Sequence, residues 1–346
     1  MTAATARTES SPLPTRFRQL RWSTWRGVLW RSANGFLDDD CGDLAAALTY
    51  NAVLAIFPVG IVVVALVNLV ADGRTAVSTV IDILKDLGAG SVVAEKSFTD
   101  LLDAIIVQQS SAKVLLSFGL LGALWSASNY IGVFTRASNR IYGVREGRAW
   151  WKLRPLQIGV SAVALVLMAL VATGLVISGP LVDAVGNALH AGDAAKLTYS
   201  IGRWPVLVLI LMLLLSVLFW IAPNVKQPRF RWITLGGVVA LVAWAIASFG
   251  FGLYVANFGS YDKTYGSLGA VIAFLVWIYL SNSALMLGVE INAEVQRGRQ
   301  LQAGAEDPDP PLPPREEADD DKKAREEADD KKARAKAGVD SKDGSV

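Results

Sequence analysis

The sequence predicts an all-α integral membrane protein, a bundle of six transmembrane helices with both termini cytoplasmic. Three observations carry that class. Of 346 residues, 53% are hydrophobic and only 18% charged, too few charges for an ordinary soluble domain. Long uncharged runs recur; between Lys263 and Glu290 lie 26 uncharged residues, where about 20 suffice to cross the hydrocarbon of a bilayer. Finally, the connections between runs alternate between rich and poor in Lys and Arg, the pattern of a chain threaded back and forth through a membrane.

Residues 1–42 read as a cytoplasmic N-terminal segment. Its first 15 residues are Thr-, Ala-, Ser- and Pro-rich, with no apolar core of a cleaved leader. A basic amphipathic helix follows, with Trp22, Trp25 and Leu29 at i, i+3 and i+7 among Arg16, Arg18, Arg21, Arg26 and Arg31. Such a segment suits an anionic membrane surface, and equally an ordinary face packed on protein. The acids Asp38, Asp39, Asp40 and Asp43 read as a solvated turn and cap rather than a metal site.

Residues 43–298 form the membrane domain, with spans expected at about 44–71, 114–135, 155–182, 204–225, 232–261 and 264–289. Pro58 removes one backbone donor from the first span and predicts a kink. The polar interval from Asp72 to Lys113 holds two short amphipathic pieces. Small residues four apart, Gly119, Ala123 and Ala127 in the second span and Ser248, Gly252 and Ala256 in the fifth, predict stripes where backbones approach closely. Trp150 and Trp151 mark a water–lipid boundary before the third span. Residues 299–346 repeat REEADDDKKA as REEADDKKA and read as a disordered, mixed-charge cytoplasmic tail.

Charge sets the orientation. The Arg136–Arg154 loop carries six basic residues, the 226–231 turn three and the Arg16–Arg31 segment five. On the other side, Asp72–Lys113 has four basic residues among six acids, Asp183–Arg203 has two basic residues and Asp262–Lys263 one. The richer side is the cytoplasmic one, and it holds both ends.

The single cysteine, Cys41, excludes an internal disulfide and a cysteine zinc site, and the lone His190 reads as incidental in its loop. No metal, cofactor or catalytic residue is expected. Polar groups inside a membrane mark either a pathway or packing between helices. The candidate pathway residues are Asn51, Asn129, Asn282, Glu290 and Glu294; Asn257 belongs to the same class. Glu290 and Glu294 lie one turn apart, and Asn282 eight residues earlier, as a polar stripe toward the cytoplasm. Arg136, Arg140, Arg145 and Arg148 are the candidates for binding anionic lipid headgroups.

Three stretches carry a family resemblance: LAAALTYNAVLAIFPV at 44–59, SNRIYGVREGRAWW at 138–151 and YGSLGAVIAFLVWIYLSNSALMLGVEINAE at 265–294. Together they resemble the YihY/BrkB membrane proteins, from about Gly42 to Val295. The resemblance implies a six-helix protein of the bacterial cytoplasmic membrane, linked to envelope lipid transport and serum resistance. Some members of that family have carried the label of a tRNA-processing ribonuclease. The residues argue against such an activity here, because a nuclease needs acid–base groups or clustered metal ligands at the phosphate. No GxxxxGK[ST] loop for ATP occurs either. The expected function is therefore movement or handling of an envelope lipid or other amphiphile, and not enzymatic. The alternative is a non-transporting scaffold for envelope assembly. Membrane lipids, with anionic headgroups on the cytoplasmic side, are the expected partners, and nucleic acid is not; self-association of the chain stays open.

Overall fold

The computed structural model describes residues 19–67, 109–176, 192–230, 232–257, 267–306 and 308–327. The polar interval after the first span, the loop holding His190, the turn before the last span and the two chain ends 1–18 and 328–346 lie outside the described residues. Seven long helices follow in order: α1 Trp22–Asp38, α2 Cys41–Val67, α3 Gln109–Ile141, α4 Trp150–Val176, α5 Gly192–Ile221, α6 Leu235–Asn257 and α7 Ser267–Gln302. Among the described residues there is no β-strand beyond one isolated bridge, Val225 to Pro314. Among the described residues, four helices are long and apolar enough to cross a membrane: Trp150–Val171, Trp204–Ile221, Leu235–Val255 and Val271–Gln302. Within α2, Cys41–Ile56 is a further, shorter apolar stretch.

α7 is the hub, contacted by α1, α2, α3 and α6, while α2, α3, α4 and α5 pack in sequence around it. Its partner α6 comes closest. A Cβ on Gly288 would sit 2.7 Å from the carbonyl oxygen of Gly236 and 2.8 Å from Cβ of Ala240, so two glycines let the backbones touch. Higher up, Trp244 Nε1 donates to Ser281 Oγ and Trp277 Nε1 to Ser248 Oγ, each at 3.1 Å. The stripe expected at Gly252 is not one of close packing among the described residues, none of which lies within 4 Å of a Cβ built there. Only 6% of the α6 span is buried, and Val242, Ile246, Phe249 and Leu253 project outward. The expected stripe holds better at Ala123, which is fully buried beside Leu165 of α4.

Two of the boundaries that differ from expectation have a visible cause. α7 continues 13 residues beyond position 289, because Glu290 and Glu294 are sheltered against α1 rather than expelled from the helix. α5 ends at Ile221, just before Pro223. α1 lays Val28 and Ser32 against α7 and turns Trp22, Leu29, Trp30 and Leu37 outward. Trp25 goes to the inner side, packed near Ile291 and Val295.

The main core lies at the end where α1, the α3–α4 link, the α5–α6 link and the start of the C-terminal segment gather. Leu48, Phe134, Phe219, Met286 and Val225 meet there, with Phe134 and Phe219 stacked at 5.9 Å. α3 stops at Gly143, whose φ of 63° is a left-handed conformation that favours glycine. Residues 308–318 do not behave as the solvated tail the composition predicts, while 319–327 are exposed. Pro311 is fully buried, Leu312 packs on the core and Arg315 donates to the carbonyls of Val225 and Trp220.

Candidate functional site

The midsection of the bundle holds a cavity of about 360 Å³ between α2, α3, α4, α5 and α7. Small residues open it: Ala52 and Ala55 from α2, Ala127 from α3 and Ala164 from α4. Leu215 and Leu285 close the far wall, and the half-exposed Met168 stands at the rim. Two lining residues are polar, and both are already engaged. Ser161 Oγ donates to the carbonyl of Gln157 at 2.8 Å. Tyr130 Oη donates to Asn282 Oδ1 at 2.8 Å.

Asn282 is 3% exposed and fully used: its amide nitrogen donates to Thr49 Oγ1 at 3.1 Å, and Thr49 donates onward to the carbonyl of Ala45. This chain ties α3, α7 and α2 together behind the cavity wall. Asn51 bonds within its own helix, to the carbonyl of Ala47. Asn129 accepts from Arg154, which also lies over the Trp125 ring. The structure therefore does not bring Asn51, Asn129 and Asn282 into one path.

Glu290 and Glu294 sit in the seam between α7 and α1. Glu294 pairs with Arg31 and Arg297, and Arg297 also reaches Asp309 at 3.1 Å. Glu290 is 3% exposed, packs against the space left by Gly35, and its Oε2 has no hydrogen-bond partner among the described residues. It is not among the cavity-lining residues. One turn from both Asn282 and Glu290 lies Met286, completely buried, so the expected polar stripe is interrupted by an apolar plug. Beside the seam, burial pushes the Asp39 carboxyl up to about 6; Arg140 opposes that and Asp38 adds to it.

The basic stretch, the end of α3 and its link to α4, divides in two. Arg136, Arg140 and Arg145 are exposed, with Arg140 paired to Asp40 and Arg145 to Asp320 and Asp321. Arg148 is instead buried, at 9% exposure. Its guanidinium grips Glu146 through two bonds of 2.7 Å and donates to the carbonyls of Ile221 and Ala222 that end α5. A headgroup cannot reach it without dismantling that contact. Asn139 joins the same network, donating to Glu146 and accepting from the backbone N–H of Asn224. Asn224 in turn donates to the carbonyls of Arg145 and Glu316. Sequence reasoning missed Asn224 and Tyr130, whose partners lie 79 to 152 residues away.

Several long apolar helices, outward-facing belts and one charged end define a multi-pass integral membrane protein. A family model described as Virulence factor BrkB matches residues 32–313, and the chain belongs to that family. It is 32% identical over 260 residues to "Putative ribonuclease-like protein YfkH" of Bacillus subtilis, covering 74% of this chain and 90% of that one. UPF0761 membrane proteins of Ralstonia nicotianae and Aromatoleum aromaticum are 31% and 30% identical over 270 and 278 residues, or 76% and 78% of this chain. The chain spans only 57% and 64% of the length of those two relatives. No solved structure matches significantly.

Proposed function

We propose that this protein handles a lipid or other amphiphile of the bacterial cytoplasmic membrane by holding its apolar tail in the cavity behind Tyr130. The observation that carries the reading is an open, apolar-walled cavity of about 360 Å³ inside the bundle. Such a space does not hold water, which needs two to four polar partners. A methylene group fills about as much volume as a water molecule, roughly 30 Å³, so an acyl segment of about a dozen carbons fits. Burying each methylene contributes about 0.8 kcal/mol in water, less when it arrives from lipid.

The plug at Met286 supports the second reading, a scaffold that binds lipid without passing a headgroup along α7. Detergent-free particles with their lipid identified by mass spectrometry separate the two. Ala164→Trp fills the cavity and should abolish recovery of a single enriched lipid class at unchanged melting temperature. Glu290→Gln, placed in the seam, should leave it intact. Bulk-like lipid on the wild type removes the cavity reading. Loss of the enriched class in Glu290→Gln alone moves the site to α7.

The six-span topology, with both ends in the cytoplasm, belongs to the same proposal, as does the absence of nuclease chemistry. The structure gathers α1, the two basic links and the C-terminal segment at one end, which agrees with the charge rule. A periplasm-active reporter fused after Ala89 or Gly192 should give signal, and after Gly147 or Gly298 none. A reversed pattern overturns the orientation. Among the described residues, no three His, Cys, Asp or Glu side chains converge on a metal position.

A further inference from the structure

The acidic segment after α7 is held by two unlike sets of contacts. The first is a firm anchor. Lys226 N–H donates to the carbonyl of Pro313 at 2.8 Å, and Arg315 N–H to that of Asn224 at 3.0 Å. The Arg315 guanidinium lies 5.1 Å from the centre of the Trp220 ring. The Asn224 side chain exchanges two bonds with the backbone of Glu316, and that backbone passes so near Gly147 that no Cβ would fit there.

The second set is a weak cover. Lys152 Nζ reaches both carboxylate oxygens of Glu316 at 3.0 Å. Arg145 reaches Asp321 at 3.1 Å and Asp320 at 3.2 Å. All of these groups are substantially exposed, and exposed pairs are weak and screened by salt.

What the acids cover has the makings of a lipid surface. Trp150 and Trp151, next to Lys152 in the chain, are 72% and 63% exposed, as tryptophans are at the edge of a bilayer. Arg136 and Arg140 are exposed on the last turns of α3, and Lys152 stands in the first turn of α4. Carboxylates lying on a guanidinium and an ammonium present the same anionic oxygens that a phosphodiester offers.

We propose that Arg145 and Lys152, flanked by Trp150 and Trp151, form a binding site for anionic phospholipid headgroups, which Glu316, Asp320 and Asp321 cover as a displaceable lid. The backbone anchor from Pro311 to Glu316 stays seated; the Glu316 side chain lets go of Lys152 while the helical stretch 319–327, with Asp320 and Asp321, swings away. The site differs from the tail cavity and does not depend on it.

The test uses the full chain in nanodiscs of phosphatidylcholine, with or without phosphatidylglycerol. Spin labels go on Lys226→Cys, in the anchored link, and Ala324→Cys, in the lid; the native Cys41 is buried. At low salt, phosphatidylcholine should give one short distance, and phosphatidylglycerol a longer, broader one. The triple variant Glu316→Gln, Asp320→Asn, Asp321→Asn should be open in both lipids. It should bind phosphatidylglycerol about tenfold more tightly. Arg145→Gln with Lys152→Gln should lose that binding while melting like the parent. A short distance unchanged by phosphatidylglycerol, or a triple variant that binds it no better than the parent, overturns the proposal.

Discussion

Replacing Gly288 with leucine is expected to separate α6 from α7 and lower the melting temperature of the detergent-extracted protein by roughly 5–10 °C. The cause is a lack of space on three sides. A first carbon at Gly288 already meets the Gly236 carbonyl, Ala240 and, at 2.9 Å, the Phe219 ring. A leucine adds three more carbons where the obstacle is backbone, which cannot turn aside as a flexible side chain can. Overpacking of this kind costs about 3 kcal/mol at the upper end of the usual range. Gly252→Leu is the matched control on α6, placed where the helix faces open space, and should melt like the parent. Equal effects from the two leucines would mean that the α6–α7 face is wrongly placed.

Arg148→Ala should be comparably damaging, for an electrostatic reason. It strands the half-buried Glu146 carboxylate and leaves the terminal carbonyls of α5 without their donor. Removing one partner of a buried pair costs about 3–5 kcal/mol, and the partial exposure of Glu146 points to the lower figure. Arg148→Lys restores the charge without the planar fork and should recover only part of the loss. The effect depends on pH in a defined sense. Burial works against the charge on Glu146, but the hydrogen bonds and charge of Arg148 prevail and hold its carboxyl below the ordinary 4.5. This contribution is present above pH 4.5 and fades as the pH falls through the lower folded value. The gap in thermal stability between parent and Arg148→Ala should therefore narrow on acidification. A gap constant with pH would mean that packing, not the ion pair, is what Arg148 supplies.

The long apolar runs and the basic connections were legible because each is a local property of the chain. The same locality explains what was not. Gly252 and Gly288 look alike as small residues in apolar helices, but which side of a helix meets a neighbour is decided by distant packing. Glu290 and Glu294 read as the exit from the membrane because their shelter, α1 with Gly35 and Arg31, lies more than 250 positions away. Arg148 shares the composition of its loop with Arg145, yet one is a buried clamp and the other an exposed cation. The fold-back at 311–316 was hidden in a charged, proline-rich stretch where Leu312 and Arg315 gave no periodic signal.

The union of α1 with α7 also sets an order of assembly. Gln302 accepts from the Arg21 N–H and the Thr24 hydroxyl and donates to the carbonyl of Gln19, contacts that span up to 283 positions. Synthesis runs from the N-terminus, so α2, α3 and α4 can meet as they emerge, each next to its neighbour in the chain. α1 cannot. Its inner face, with Val28, Ser32 and Arg31, has nothing to cover it until the last helix has been made. A helix made before α2 is thus seated only after α7, and its docking reports that the chain has been inserted through to the end of α7.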